Sequence, residues 1–183
     1  MFPSHDSKYI VSGSYDNTIK IWNFKTAECL NTLEGHKSYV SSIAISPDSK
    51  YIISGSDDGI IKVWDLRTLE CLHTLVGHED SGNSIAISPD GKYIISGSDD
   101  DIINIWDLRT LEFLNTLVGD TSWINSIAIS PDGKYIVSGS DDKTIKIWDF
   151  KTEECLHTLE KHEYSVNSIA IRQFIFHSTM AGN

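Results

Sequence analysis

The residue types that could do chemistry in this 183-residue chain are serine, histidine and aspartate, and they recur together. Ser-Gly-Ser triplets begin at Ser12, Ser54, Ser96 and Ser138. Acidic runs follow at Asp57-Asp58, Asp99-Asp100-Asp101 and Asp141-Asp142, and Gly-His pairs stand at Gly35-His36 and Gly77-His78. A hydroxyl, an imidazole and a carboxylate are the parts of a hydrolase relay, which also needs an exposed nucleophile and an oxyanion hole. Here the grouping returns copy after copy and nothing suggests an oxyanion hole, so the expectation is structural use and no catalytic residue. The paired acids could suggest calcium, but they sit where short hairpin turns are expected. Asp and Gly form such turns because they tolerate positive φ, and no metal is expected. Cys29, Cys71 and Cys155 are odd in number, and their spacing fits neither a disulfide framework nor a zinc site. Gly-rich phosphate loops are absent, and no cofactor is expected.

One period governs these positions. Trp22, Trp64, Trp106 and Trp148 are 42 residues apart. The triplets keep the same step, as does the tetrapeptide Ser-Ile-Ala-Ile beginning at Ser42, Ser84, Ser126 and Ser168. The cysteines are one repeat position, which Phe113 fills in the remaining copy; that exchange points to packing rather than chemistry. Self-similarity at such a period is the mark of a repeat architecture.

Each period divides into four short runs. In the second copy, Tyr39 to Ser46 alternates apolar and polar residues as a strand does. Ser46-Pro47-Asp48-Ser49 is a turn signal, and Lys50 to Ser56 is β-branched and aromatic, hence a second strand. Asp57-Asp58-Gly59 turns into a third strand, Ile60 to Trp64. Residues 65–69 turn again into a fourth, Glu70 to Leu75. No room remains for a helix longer than a turn. Strands this short must bury their faces against neighbouring sheets, and radial stacking of four-stranded sheets is the propeller solution. The fold class expected is therefore all-β, in blade units of about 1–34, 35–76, 77–118 and 119–160. A lone inner strand at 165–171 and a divergent tail at 172–183 complete the division.

The copies, with Gly35-His36, Ser54-Gly55-Ser56-Asp57-Asp58 and Trp64-Asp65 in register, resemble the WD-repeat family over roughly residues 4–171. The resemblance implies a β-propeller that assembles other proteins without catalysis. It also implies a hydrogen-bonded set in each blade: His36, Ser54, Asp58 and Trp64 in one, and His78, Ser96, Asp100 and Trp106 in the next. In the last blade, Gly119-Asp120 replaces Gly-His, leaving Ser138, Asp142 and Trp148 without an imidazole. Gly82 stands where Val40, Ile124 and Val166 occupy the inner strand, which suggests a bulge or a loose start to that strand.

The resemblance further places partner binding on one rim, at Lys37, Glu79, Thr121 and Glu163; at Tyr39, Ser81, Trp123 and Ser165; and at Tyr15, Asp57, Asp99 and Asp141. Trp123, the fifth tryptophan, stands off the shared position and is the aromatic candidate for a hot spot. In propellers of this family a shared sheet closes the ring. Here three strands at the front and one at the back would make one blade, with His162 serving Ser12, Asp16 and Trp22. Closure within the chain makes four blades; closure between two chains makes an eight-blade homodimer. An open arc is the rival, and the alternative readings of the chain are a sensor or regulatory fragment of a larger signalling or enzyme polypeptide, or a truncated non-functional fragment.

The formal net charge of −11 favours basic peptides or basic protein faces as partners and disfavours nucleic acid and anionic membrane. No stretch approaches the roughly 18 apolar residues of a spanning helix. The N-terminal residues have neither a basic nor an apolar region of a signal peptide. The cytoplasm is the expected location, with the nucleus as the alternative.

Overall fold

The computed structural model describes residues 9–172, all of whose regular elements are β-strands. Blade one is a three-stranded sheet, β1 (Tyr9–Gly13), β2 (Ile19–Asn23) and β3 (Cys29–Leu33). Blade two comprises β4 (Val40–Ile45), β5 (Tyr51–Ser56), β6 (Ile60–Asp65) and β7 (Cys71–Val76). Blade three comprises β8 (Gly82–Ile87), β9 (Tyr93–Ser98), β10 (Ile102–Asp107) and β11 (Phe113–Val118). Blade four comprises β12 (Ile124–Ile129), β13 (Tyr135–Ser140), β14 (Ile145–Asp149) and β15 (Cys155–Leu159). Every sheet is an antiparallel meander in chain order, and the inner strands β4, β8 and β12 lie side by side.

Turn chemistry fixes the meander. Ser46 Oγ accepts the N–H groups of Lys50 and Tyr51, at 3.2 and 2.9 Å, and donates to Asp48 Oδ1 at 2.7 Å, tying off the inner hairpin. The next turn needs one residue in the left-handed region; Asn17, Gly59, Asp101 and Lys143 fill it in the four copies, with φ between 65° and 73°. Asp65 Oδ1 accepts the N–H of Arg67 and Thr68 at 2.7 and 2.8 Å, closing the third.

Each blade buries one face on its predecessor. Ile53, Ile61, Val63 and Leu75 of blade two enclose Ile94, Trp106 and Leu108 of blade three, all at most 5 % exposed. The same pattern joins blade one to two through Ile19, Ile21, Leu33 and Trp64, and blade three to four through Ile103, Ile105, Leu117 and Trp148. Polar staples accompany the apolar faces: Ser42 Oγ accepts the N–H of Ile85, and Ser84 Oγ that of Ile127, each at 3.0 Å.

Two expectations change. The strand expected at 165–171 forms no ladder. The segment lies against blade four in the inner-strand position, with Val166 N–H donating to Ser140 O at 2.9 Å and Ile169 N–H to Ser126 Oγ at 3.0 Å, but it pairs with no strand. It does not join β1, so the ring is not closed within the chain; blade-to-blade packing places the segment, whereas the strand it would pair with sits at the other end of the arc. The bulge expected from Gly82 is present between Gly82 and Ser84, but the same shift occurs at Val40/Ser42 and Ile124/Ser126. It belongs to the repeat and does not arise from the glycine. The blade-unit limits before residue 9 and the tail beyond 172 lie outside the described residues.

Candidate functional site

Because the second and third strands of a blade pair antiparallel, Ser54 lies opposite Lys62 and Ile52 opposite Trp64. The serine and tryptophan are ten residues apart across the hairpin, and every blade joins them: the indole N–H of Trp22, Trp64, Trp106 and Trp148 donates to Oγ of Ser12, Ser54, Ser96 and Ser138 at 2.9, 2.8, 3.2 and 3.1 Å. It is the first serine of each triplet that serves.

Blade three carries the whole set. His78 Nε2 lies 2.7 Å from Ser96 Oγ, and Nδ1 lies 3.0 Å from Asp100 Oδ2. A carboxylate only accepts, so Nδ1 carries the proton, and Ser96, already accepting from Trp106, donates to Nε2. Burial pushes the Asp100 carboxyl up, but the hydrogen bonds from His78 and from the N–H of Glu79 outweigh it and hold it below the usual range. Ser96 is 1 % exposed. A hydroxyl buried this way and bonded to an indole cannot meet a substrate, so the trio is a strut.

Blade two departs from the expected set. His36 Nε2 lies 2.6 Å from Ser54 Oγ, but Asp58 does not join: it stays exposed, accepting the N–H of Ile60 at 3.3 Å, and His36 Nδ1 has no partner. Burial first, then the charge of Lys62, lower the His36 pKa to about 4.

Blade four replaces the imidazole. Asp120 Oδ2 accepts from Ser138 Oγ at 3.0 Å, and Lys146 Nζ donates to Asp120 Oδ1 at 2.8 Å and to Asp142 Oδ2 at 3.2 Å. Burial would lower the Lys146 pKa, but the two carboxylates hold it up; Asp142 is held down by Thr144 and Lys146 against its burial. Burial pushes the Asp120 carboxyl up. Sequence reasoning noted Asp120 only as a lost imidazole and missed Lys146; the available signal was a lysine opposite Ser138 in the same blade.

Blade one holds Ser12 and Trp22 alone. Asp16 caps its own turn through Thr18, and His162 is exposed at the far end of the arc, so the expected service of His162 to Ser12, Asp16 and Trp22 is not made within the chain.

The rim residues are drawn together more than their sequence suggested. Tyr15 and Tyr39 stack with ring centroids 4.5 Å apart. Asp57 accepts from Ser81 Oγ at 2.8 Å and Ser38 Oγ at 3.2 Å, and its hydrogen bond with Tyr39 pushes that phenol up to about 12. Asn125 Nδ2 donates to Asp141 Oδ1 at 2.6 Å, and Thr121 Oγ1 to Asp142. Trp123 is half exposed; Lys37, Glu79, Glu163 and Ser165 are exposed, and Asp99 is partly buried. Residues from both ends of the arc, Tyr15 and Tyr39 with Asn125 and Asn167, line one hollow of about 490 Å³, which marks the axis. Among the described residues, no group of three or more His, Cys, Asp or Glu is arranged to hold a metal.

Four-stranded meanders packed face to face about a common axis define an open arc of β-propeller blades. The family model "WD domain, G-beta repeat" matches residues 2–23, 27–65, 69–107 and 111–149, and the chain belongs to this WD40 family, whose members typically serve as protein-interaction scaffolds. The chain is 41 % identical over 46 residues to coatomer subunit beta'-1 of Arabidopsis thaliana, covering 25 % of this chain and 5 % of that one. It is 42 % identical over 45 residues to small ribosomal subunit protein RACK1y of Oryza sativa subsp. japonica (25 % and 13 %), and 42 % over 40 residues to nuclear distribution protein PAC1 of Mycosarcoma maydis (22 % and 9 %). The chain thus spans 5–13 % of the length of these relatives.

Proposed function

We propose that this protein is a non-catalytic interaction scaffold that presents an acidic, aromatic rim to basic peptides or basic faces of other proteins. The observation that supports this most is that Tyr15 and Tyr39, with Asp57 bonded to Tyr39, line one hollow with Asn125, which holds Asp141 beside half-exposed Trp123, in a chain of net charge −11. Aromatic faces and carboxylates attract Lys and Arg by complementary means, one through the ring quadrupole and one through charge. The struts below are buried, which leaves specificity to the rim, where the four copies differ. The expected location is the cytoplasm or, alternatively, the nucleus; recovery in a secreted or membrane fraction would contradict it.

The test is binding of a fluorescent Lys/Arg-rich peptide, and of its Glu/Asp-rich counterpart, to the folded protein at low and high salt. The basic peptide should bind, weaken as salt rises, and lose at least tenfold in affinity in the double variant Trp123→Ala, Asp141→Asn. Equal binding of both peptides, or no effect of the double variant, would refute the rim assignment.

A second reading has its own support. Because the relatives are far longer than this chain, the arc would serve as the sensor or regulatory part of a larger polypeptide; a longer transcript carrying an enzyme or signalling segment in frame would decide for it.

A further inference from the structure

The outer margin of blades two and three carries an apolar set that the flanking blades lack. Ile60 lies opposite Val76 in blade two, and Ile102 opposite Val118 in blade three. The same repeat positions hold Thr18 and Glu34 in blade one, and Thr144 and Glu160 in blade four. Val76 is 70 % and Val118 73 % exposed, and Ile60 and Ile102 are half-buried. Missing neighbours do not account for this. Ile60 shares its face of the sheet with Trp64, which packs on blade one, and Ile102 shares its face with Trp106, which packs on blade two. Both junctions lie within the arc, with the blade on either side in place.

The linker at residues 76–80 joins the two pairs. Gly77 O accepts from Asn104 Nδ2 at 3.0 Å, and Asn104 lies two residues from Ile102 on the same face. Val76 therefore begins a crossing that runs beside the Ile102–Val118 pair. The linker then passes against the turn of blade two, where a Cβ added at Gly59 would stand 2.8 Å from Asp80 O and 2.9 Å from His78 O. It meets the turn of blade three through the N–H of Glu79, 3.0 Å from Asp100 Oδ2. Asp58, Glu79, Asp80 and Asp101 are thus strung along the apolar set, the first three of them exposed. In the neighbouring linkers Lys37-Ser38 and Thr121-Ser122 stand in place of Glu79-Asp80, and Lys143 stands in place of Asp101. Lys62, on the face of Ile60, lies two residues further along β6 and donates to Thr74 Oγ1 at 3.0 Å.

Single exposed apolar side chains are ordinary on a protein surface, whereas a grouped set rimmed by polar residues marks an interaction site. We propose that this margin docks an amphipathic, basic segment of a partner protein. The segment lays its apolar side chains on Ile60, Val76, Ile102 and Val118 and sets its Lys or Arg side chains against Asp58, Glu79, Asp80 and Asp101. Burial of the valines supplies affinity, and the carboxylates, unrelieved by lysine in this linker and its two turns, select the sign of the partner's charge. This contact rests on the reading of the chain as an interaction scaffold, but it uses the outer margin of the arc and not the axial rim.

The test is fluorescence anisotropy of labelled peptides of equal length on the purified chain: an amphipathic Leu/Lys peptide, a Ser/Lys peptide of the same charge, and a Leu/Glu peptide. The Leu/Lys peptide should bind about tenfold tighter than either of the others, or more. The double variant Val76→Glu, Val118→Glu should lose the advantage of Leu/Lys over Ser/Lys. Glu34 and Glu160 already fill these positions in the flanking blades, so the change suits the fold, which circular dichroism verifies. Added carboxylates would tighten a contact made by charge alone, so the direction of the change separates the two causes. In Trp123→Ala, Asp141→Asn the preference for leucine should persist, so the rim and the margin stand or fall separately. Equal binding of the Leu/Lys and Ser/Lys peptides, equal binding of the Leu/Glu peptide, or an unaltered preference in the valine variant would each overturn the proposal. So would a parent that self-associates and becomes monomeric in the valine variant, since a second copy would then occupy the margin.

Discussion

The Lys146 ammonium lies 2.8 Å from Asp120 in blade four, and the two side chains together join Ser138 to the turn aspartate, as the His78 imidazole alone does in blade three. In blade three the chain of contacts runs from Trp106 through Ser96 and His78 to Asp100; in blade four it runs from Trp148 through Ser138, Asp120 and Lys146 to Asp142. Each end of the strut is kept, the indole and the turn aspartate, while an acid and a base together replace one neutral ring.

That exchange predicts a paired dependence. The Asp120 and Lys146 side chains are 1 % and 10 % exposed. Removing either partner leaves a buried charge, and Lys146→Met or Asp120→Ala should cost about 3 kcal/mol or more. The double change Asp120→His, Lys146→Asn rebuilds the arrangement of blade three, where Asn104 occupies the lysine position and donates to Gly77 O. It should recover most of the loss. Urea unfolding through a double-mutant cycle measures the coupling; additive losses would show that the two residues act separately.

The fold was legible because its signals are local. Trp and Ser ten residues apart across one hairpin must face each other once the turn is set, so their union in every blade follows from periodicity and turn residues alone. Lys146 was not legible because its partner Asp120 is 26 residues away, and because lysines at the same position, Lys20 and Lys62, bond elsewhere or lie near solvent. The absence of Asp58 from the His36 set was equally hidden: Asp58 and Asp100 hold the same repeat position, yet one caps only its own turn and the other meets the imidazole. The rim aspartates looked like free charges, but Asp57 is fastened by Tyr39 of its own blade and Ser81 of the next, and Asp141 by Asn125 of its own blade.

His36 gives the protein an acid sensitivity of definite sign. Its folded-state pKa of about 4 lies below the unfolded value near 6.5, so between those pH values the unfolded chain binds a proton that the folded chain refuses. Stability therefore falls as pH drops from about 6.5 to 4, by about 3 kcal/mol for this group if the whole shift is expressed. NMR titration of the His36 ring should show no protonation at pH 5.5. A midpoint near 6.5 would contradict the burial argument.

Gly82 leaves blade three without the side chain that Val40 supplies to blade two and Ile124 to blade four. Its φ lies outside the left-handed region, and an added Cβ would meet Ser56 O at 3.3 Å, a close approach that a small backbone adjustment relieves. Gly82→Val should stabilise the protein by about 1 kcal/mol, through added burial and a less flexible unfolded chain. In the parent, amides around Gly82 should exchange faster than those around Val40. Equal protection, together with a destabilised valine variant, would show that the glycine is required there.

The most direct test of the view that the buried hydroxyl, imidazole and carboxylate hold blades together while the rim binds partners is Ser96→Ala, assayed for stability and peptide binding in the same preparation. The change orphans the Trp106 indole and the His78 imidazole, at an expected cost of about 2 kcal/mol, with affinity for the basic peptide unchanged per folded molecule. Unchanged stability accompanied by lost binding, or by loss of a hydrolytic activity in the parent, would contradict the account.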